Sequence, residues 1–200
     1  REEVVTDFSQ KGKWHSFFEN NNPIVVELGC GKGEYTIALA RKNPNKNYVG
    51  IDIKGARFWR GAKTAIEENL PNVAFVRTQI ELVDFIFAEN EVSEIWITFP
   101  DPQIKYQRTK HRMTNTVFLK KYHQILNDSG IVNLKTDSEF MHGYTLGLLH
   151  GAGHEVLYAN HTVYKNEGAP EEVTETQTFY ENQYLEVGKA ITYIQFRLKY

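Results

Sequence analysis

Short apolar runs alternate along the chain with longer stretches whose apolar residues recur at helical spacing, and this alternation predicts an α/β protein. Ile24–Leu28 reads as a buried strand closed by Gly29-Cys30-Gly31-Lys32-Gly33, with a helix through Ala40 and Pro44 beyond its end. Tyr48–Ile53 reads as the second strand, the segment from Gly55 to Asn69 as its helix, and Val73–Arg77 as the third strand. Ile95–Phe99 is the fourth, cut off by Pro100 and Pro102 because proline removes a ladder donor and restricts its predecessor. A helix with Val117, Phe118, Tyr122, Ile125 and Leu126 on one side follows, then Asp128-Ser129-Gly130 as a turn and Ile131–Leu134 as the fifth strand. Ser138–His150 reads as a helix with Ser138 as its N-cap. Glu155–Ala159 and Ala190–Leu198 supply the last strands, and the polar stretch Asn166–Glu175 reads as a surface loop. The order predicts a doubly wound, mostly parallel seven-stranded sheet with one antiparallel strand near the C-terminus. It is expected to be a single domain over residues 1–200, with 1–22 as an N-terminal extension.

Composition narrows the function classes. Two hundred residues at 41% hydrophobic and 24% charged suffice for a sizeable core. No apolar run approaches the roughly 20 residues that cross a bilayer, so neither a transmembrane segment nor a signal peptide is expected. The chain opens at Arg1 rather than Met, and residues upstream are expected. The lone Cys30 rules out an internal disulfide and a cysteine-based zinc cluster, fits a cytoplasmic location, and leaves no metal site in view. Net charge is −2, which taken alone argues against a nucleic-acid partner. The average conceals an asymmetry: from Pro102 to Asn127 there is no acid, and Lys105, Arg108, Lys110, Arg112, Lys120 and Lys121 give +6. The remaining residues carry −8.

Glu27-Leu28-Gly29-Cys30-Gly31-Lys32-Gly33 ends a strand and opens a helix, where glycines admit a ligand to the backbone and the helix N-terminus offers unpaired N–H groups. The dinucleotide fingerprint requires a sixth-position glycine, and here that position is Glu34. Glu27 would face a pyrophosphate badly but suits a cofactor bearing an ammonium or sulfonium charge. The segment resembles the first motif of the class I S-adenosylmethionine-dependent methyltransferases. Asp52, ending strand two about twenty residues later, sits where a carboxylate accepts from both ribose hydroxyls. Gln79, after strand three, falls where such enzymes often place an adenine contact, and a surface glutamine serves equally as an explanation. Cys30 reads as a small residue in the loop rather than a nucleophile.

Phe99-Pro100-Asp101-Pro102 stands at the C-terminal end of strand four, the edge where open α/β sheets bind ligands. With the downstream Lys105, Lys110 and Arg112, with Lys135-Thr136-Asp137 ending strand five as that family's Thr-Asp pair does, and with Thr178-Phe179-Tyr180-Glu181 near the C-terminus, it resembles the tRNA (guanine-N7)-methyltransferase family of the TrmB type. Lys11-Gly12-Lys13-Trp14 extends the similarity, which runs from about residue 11 to the end. The family pattern after Pro-Asp-Pro, Trp and then Lys, Arg, His and two Arg, is displaced here, with Gln103, Ile104, Lys105, Tyr106, Gln107 and Arg108 in its place.

The resemblance implies a Rossmann-like methyltransferase fold, S-adenosylmethionine as cofactor, and a variable-loop guanine near position 46 of tRNA as substrate. It also implies a cytoplasmic monomer or homodimer. Guanine N7 carries its lone pair in the ring plane and no proton, so in-line attack requires no general base. Asp101 and Asp137 are then the catalytic pair, orienting the base and balancing the charge that appears on it. Glu27, Gly29, Gly31, Gly33, Asp52, Gln79 and Asp101 are the expected cofactor residues. Lys105, Asp137, Thr178 and Glu181 are the expected substrate residues, and Arg108, Lys110 and Arg112 the RNA contacts. Thr178 and Glu181 read equally as a helix-capping pair, Asp101 as a turn cap, and Lys120 and Lys121 as a solvated helix face. A class I methyltransferase acting on another RNA base or a small molecule, and a binding module without turnover, are the alternatives.

Overall fold

Central strands of a sheet covered on both faces must be apolar on both sides, and β1 (Ile24–Leu28) is buried at every position. The computed structural model describes residues 8–166 and 168–200. After α1 (Trp14–Phe18) and β1 come α2 (Glu34–Lys42), β2 (Asn47–Asp52), α3 (Gly55–Glu67) and β3 (Val73–Arg77). A short α4 (Val83–Ile86) leads to β4 (Val92–Thr98), then α5 (Thr116–Ile125), β5 (Leu126–Thr136), α6 (Glu139–Gly151) and β6 (Glu155–Asn160). The short α7 (Glu171–Thr174), α8 (Phe179–Glu186) and β7 (Thr192–Arg197) complete the chain. The strands form one sheet in the order β3-β2-β1-β4-β5-β7-β6. Only β7 runs against its neighbours, antiparallel to both β5 and β6. The predicted seven-stranded, mostly parallel architecture is the one observed.

Two apolar layers divide the sheet. Ile24, Val26 and Leu28 pack with Trp14, Val83, Leu119 and Met141 on the face covered by α1, α4, α5 and α6. Val25 packs with Tyr35, Leu39, Trp96, Val173 and Tyr193 on the other, beneath α2, α7 and α8. Trp14 fixes α1 by donating from Nε1 to the Ile86 carbonyl at 3.0 Å. The order reversal between β1 and β4 opens the sheet edge at the C-terminal ends of the parallel strands, where ligands bind in such folds.

Three local expectations are corrected. Asp128-Ser129-Gly130 is not a turn: β5 runs unbroken from Leu126, and a register shift against β4 absorbs the extra residues as a bulge. In α5 it is Leu119, not Val117, that faces the core; Val117 is exposed, and Asn115 caps the helix by accepting from Val117 N and Phe118 N. The polar stretch 166–175 includes α7, whose Val173 is fully buried. Among the described residues no helix is long and apolar enough to cross a membrane.

Candidate active site

The loop between β1 and α2 is held in a shape that needs glycine. Gly29, Gly31 and Gly33 have φ of 74°, 55° and 74°, in the left-handed region. A Cβ on Gly33 would lie 2.7 Å from the Phe75 ring and 3.3 Å from Gly61 Cα, so this residue seats the loop on α3. A Cβ on Gly31 would meet nothing within 4 Å, which leaves open space against its backbone. Asp52 braces the loop from the end of β2: Gly31 N donates to its Oδ2 at 3.0 Å and Lys54 N to its Oδ1 at 2.8 Å.

Glu27 lies beneath the same loop and is buried. Its Oε2 accepts from Thr36 N at 2.9 Å and from the Thr36 hydroxyl, and its Oε1 accepts from the Thr98 hydroxyl at 2.7 Å. Burial pushes its carboxyl up to about 7, against the hydrogen bonds from Thr36 and Thr98 that favour the charged form. Glu27, Gly31, Arg57, Thr98, Thr178 and Tyr180 line one cleft of about 150 Å³.

Beyond β4 the backbone is strained on both sides of Pro100-Asp101-Pro102. Phe99 and Gln103 adopt φ of 48° and 47°, a conformation that costs a non-glycine residue about 1–3 kcal/mol. Asp101 is exposed, and its Oδ1 accepts from Gln103 N at 3.0 Å, which closes a turn around the motif. Thr98 pairs with Lys135 across β4 and β5, so Asp101 and Asp137 follow adjacent strand ends. Asp137 accepts from Lys189 Nζ at 2.8 Å, a bond that raises the lysine.

A buried cation ties the late segment down. Lys135 Nζ, fully enclosed, donates to the carbonyls of Val173 at 2.6 Å and Thr176 at 3.0 Å and lies 2.7 Å from Glu181 Oε1. Glu181 is equally enclosed and also accepts from Tyr164 OH at 2.6 Å. Burial pushes Lys135 down to about 8 while Glu181 pulls it back up. Thr178 and Glu181 form a reciprocal capping box at the start of α8, and Phe179 N donates to Glu34 Oε2 at 3.0 Å, which docks α8 on the glycine loop.

A family model described as "Putative methyltransferase" matches residues 21–194. A tRNA (guanine-N(7)-)-methyltransferase of Christiangramia forsetii is 72% identical, covering 100% of this chain and 90% of the relative. One of Porphyromonas gingivalis is 50% identical over 96% of this chain and 78% of its own length. The chain belongs to the tRNA (guanine-N7)-methyltransferase family. The solved structure of the 16S rRNA methyltransferase KamB superposes with a TM-score of 0.72 at 13% identity, covering 100% of this chain and 97% of that one. At that identity it speaks for the fold.

Within this family member the expected residues fall into two groups. Glu27, Gly29, Gly31 and Thr178 meet in the cleft, and Asp52 braces it from behind. Asp101, Lys105, Arg108 and Lys110 lie outside it on exposed backbone, the last two in a single 3-10 stretch, Tyr106–His111. Gln79 is exposed at the start of a short turn after β3 and does not line the cleft. Arg112 is placed differently from the expected RNA contacts: it is buried, stacked on Phe140 and Tyr144, and donates to the carbonyls of Gln103 and Ile104 at 3.1 Å each. Lys121 is paired with Asp84 at 2.7 Å, whereas Lys120 is exposed. In the sequence Lys135 was legible only as the first residue of the motif that ends strand five, with no role of its own. A lysine inside an apolar central strand must find a buried partner, and that requirement was the available signal.

Proposed function

We propose that this protein transfers a methyl group from S-adenosylmethionine to N7 of a guanine in tRNA, the variable-loop guanine at position 46. The observation that carries the reading is the pairing of two carboxylates, Asp101 and Asp137, at adjacent strand ends with an exposed, acid-free basic arm leaving the same edge. The relatives' names agree with it.

The residues fit the cofactor. The open space against Gly31, the buried acid Glu27 and the strand-end acid Asp52 match a ligand with a cationic end and a ribose. S-adenosylmethionine, when bound, supplies an electrophilic methyl group on a sulfonium. Gly29 and Gly31 would bring backbone close to it, Gly33 would hold the loop against α3, Asp52 would take the ribose hydroxyls and Glu27 would face the cationic end.

Asp101 and Asp137 accept from the guanine N1–H and exocyclic amine, which fixes N7 toward the cleft. The lone pair of N7 needs no base, so these carboxylates orient the ring and offset the positive charge it gains. Thr178 closes the cleft from the late segment. Lys105, Arg108 and Lys110 meet phosphates. Glu181 and Arg112 act one step back, as anchors of the late segment and of the basic arm. With tRNA as partner, the site of action is the cytoplasm.

The test is labelled methyl transfer to tRNA that lacks N7-methylguanosine, with the product nucleoside identified and mapped. N7-methylguanosine at position 46 is expected. A different methylated nucleoside, or none, overturns the reading.

A further inference from the structure

A second cationic surface lies across the cleft from the basic arm. Residues 53–66 contain Lys54, Arg57, Arg60 and Lys63 and no acid, in a chain whose net charge is −2. All four side chains are exposed. Lys54 immediately precedes α3 and the other three lie on it, so at 1.5 Å per residue the row covers about 14 Å. Among the described residues Lys54, Arg57 and Arg60 have no carboxylate partner, and Lys63 has only the exposed Glu67 at 3.5 Å. Like charges three apart on a helix repel, so the row is unfavourable in the isolated protein and is relieved by a polyanion.

Two further features set it apart from an ordinary solvated helix. Trp59, 62% exposed, lies on the same helix with Lys63 Nζ 5.5 Å from its ring. An exposed aromatic ring beside a cation is an arrangement that stacks an unpaired base while the backbone is neutralised. Arg57 also lines the cleft that holds Glu27 and Gly31, so the row begins at the reaction site. The strand order β2-β1-β4 puts the glycine loop between α3 and the 105–112 arm. The two cationic segments therefore flank the cleft on opposite sides.

We propose that α3 is a second RNA-binding surface, with Arg57, Arg60 and Lys63 on phosphates and Trp59 against a base, so that the RNA straddles the glycine loop. This rests on the tRNA reading above and extends it: the RNA is gripped on both sides of the target base. It makes the affinity of an otherwise acidic protein depend on two separated clusters.

The experiment measures tRNA affinity by fluorescence anisotropy across a salt series, for the wild-type chain and for Arg60→Gln/Lys63→Gln. Lys13→Gln/Lys199→Gln is the control, an equal charge change at the other end of the strands, where Lys13 precedes α1 and Lys199 follows β7. The α3 variant is expected to bind about three- to ten-fold more weakly, with the salt slope reduced by roughly 1.5, as two lost phosphate contacts require. The control is expected to match wild type, and both variants to keep wild-type affinity for S-adenosylmethionine. Unchanged affinity and slope in the α3 variant, with wild type methylating tRNA, overturn the second surface alone. An equal loss in the control also overturns it, since the effect is then one of net charge. A wild-type chain that neither binds nor methylates tRNA overturns both readings together.

Discussion

On the β1–β2 side of the sheet edge the acids are buried and satisfied: both oxygens of Glu27 and both of Asp52 accept hydrogen bonds from the protein itself. On the β4–β5 side Asp101 is exposed, Asp137 is held by one surface lysine, and the cations Lys105, Arg108 and Lys110 stand in solvent. The first side suits a small ligand of fixed shape, because its polar groups are already oriented and lose little on binding. The second suits a large, hydrated polyanion, whose phosphates must be reached from the surface. One sheet edge thus carries a rigid half and an open half, and the late segment bridges them through Lys135, Glu181 and Glu34.

The largest expected effect comes from breaking that bridge. Lys135→Met leaves Glu181 buried without its cation and should cost about 3–5 kcal/mol in urea unfolding, while Lys135→Met/Glu181→Leu recovers much of the loss. A single variant as stable as wild type would show that the two halves are not joined through this pair. The rigid half has its own signature. Glu27 is raised from 4.5 to about 7, so the folded state keeps a proton that the unfolded chain has released between those values. Its effect is to lower stability by about 3 kcal/mol as pH rises from 4.5 to 7, with no further change above. His142, pushed down to about 4 by burial and by His161, acts with the opposite sign, because the unfolded chain takes up its proton first on acidification. The difference between wild type and Glu27→Gln isolates the glutamate, and a flat difference from pH 4.5 to 7 would contradict its buried state.

The two halves were unequally legible in the sequence. β1 and the Ile95–Ile97 core of β4 stood out because strands covered on both faces are apolar throughout, and the glycine loop because its positive φ values demand its residues. Asp128-Ser129-Gly130 misled because a bulge and a turn draw on the same residues. Val173 was invisible as one apolar residue in a polar stretch, though it anchors α7. Arg112 sat in a run of cations with nothing in the pattern to show that Phe140 and Tyr144 enclose it. The α3 cations were hidden by the summation itself, since they were averaged into the acidic remainder.

The smallest expected effects lie in the open half. Arg108→Gln/Lys110→Gln should weaken tRNA binding by about three- to ten-fold and lower the salt slope by roughly 1.5, without a change in unfolding midpoint. Arg112→Gln should do the reverse, lowering the midpoint while leaving the slope near wild type. If Arg112→Gln instead changes the slope as the exposed pair does, the separation of anchor from contact fails.

The division of labour is tested most directly by calorimetry of S-adenosylmethionine binding to Asp137→Ala, alongside its rate of methyl transfer to tRNA. Cofactor affinity within about two-fold of wild type, with transfer slowed by about 100-fold or more, is the predicted result. Loss of cofactor affinity in parallel with the rate would place Asp137 in the rigid half and contradict the account.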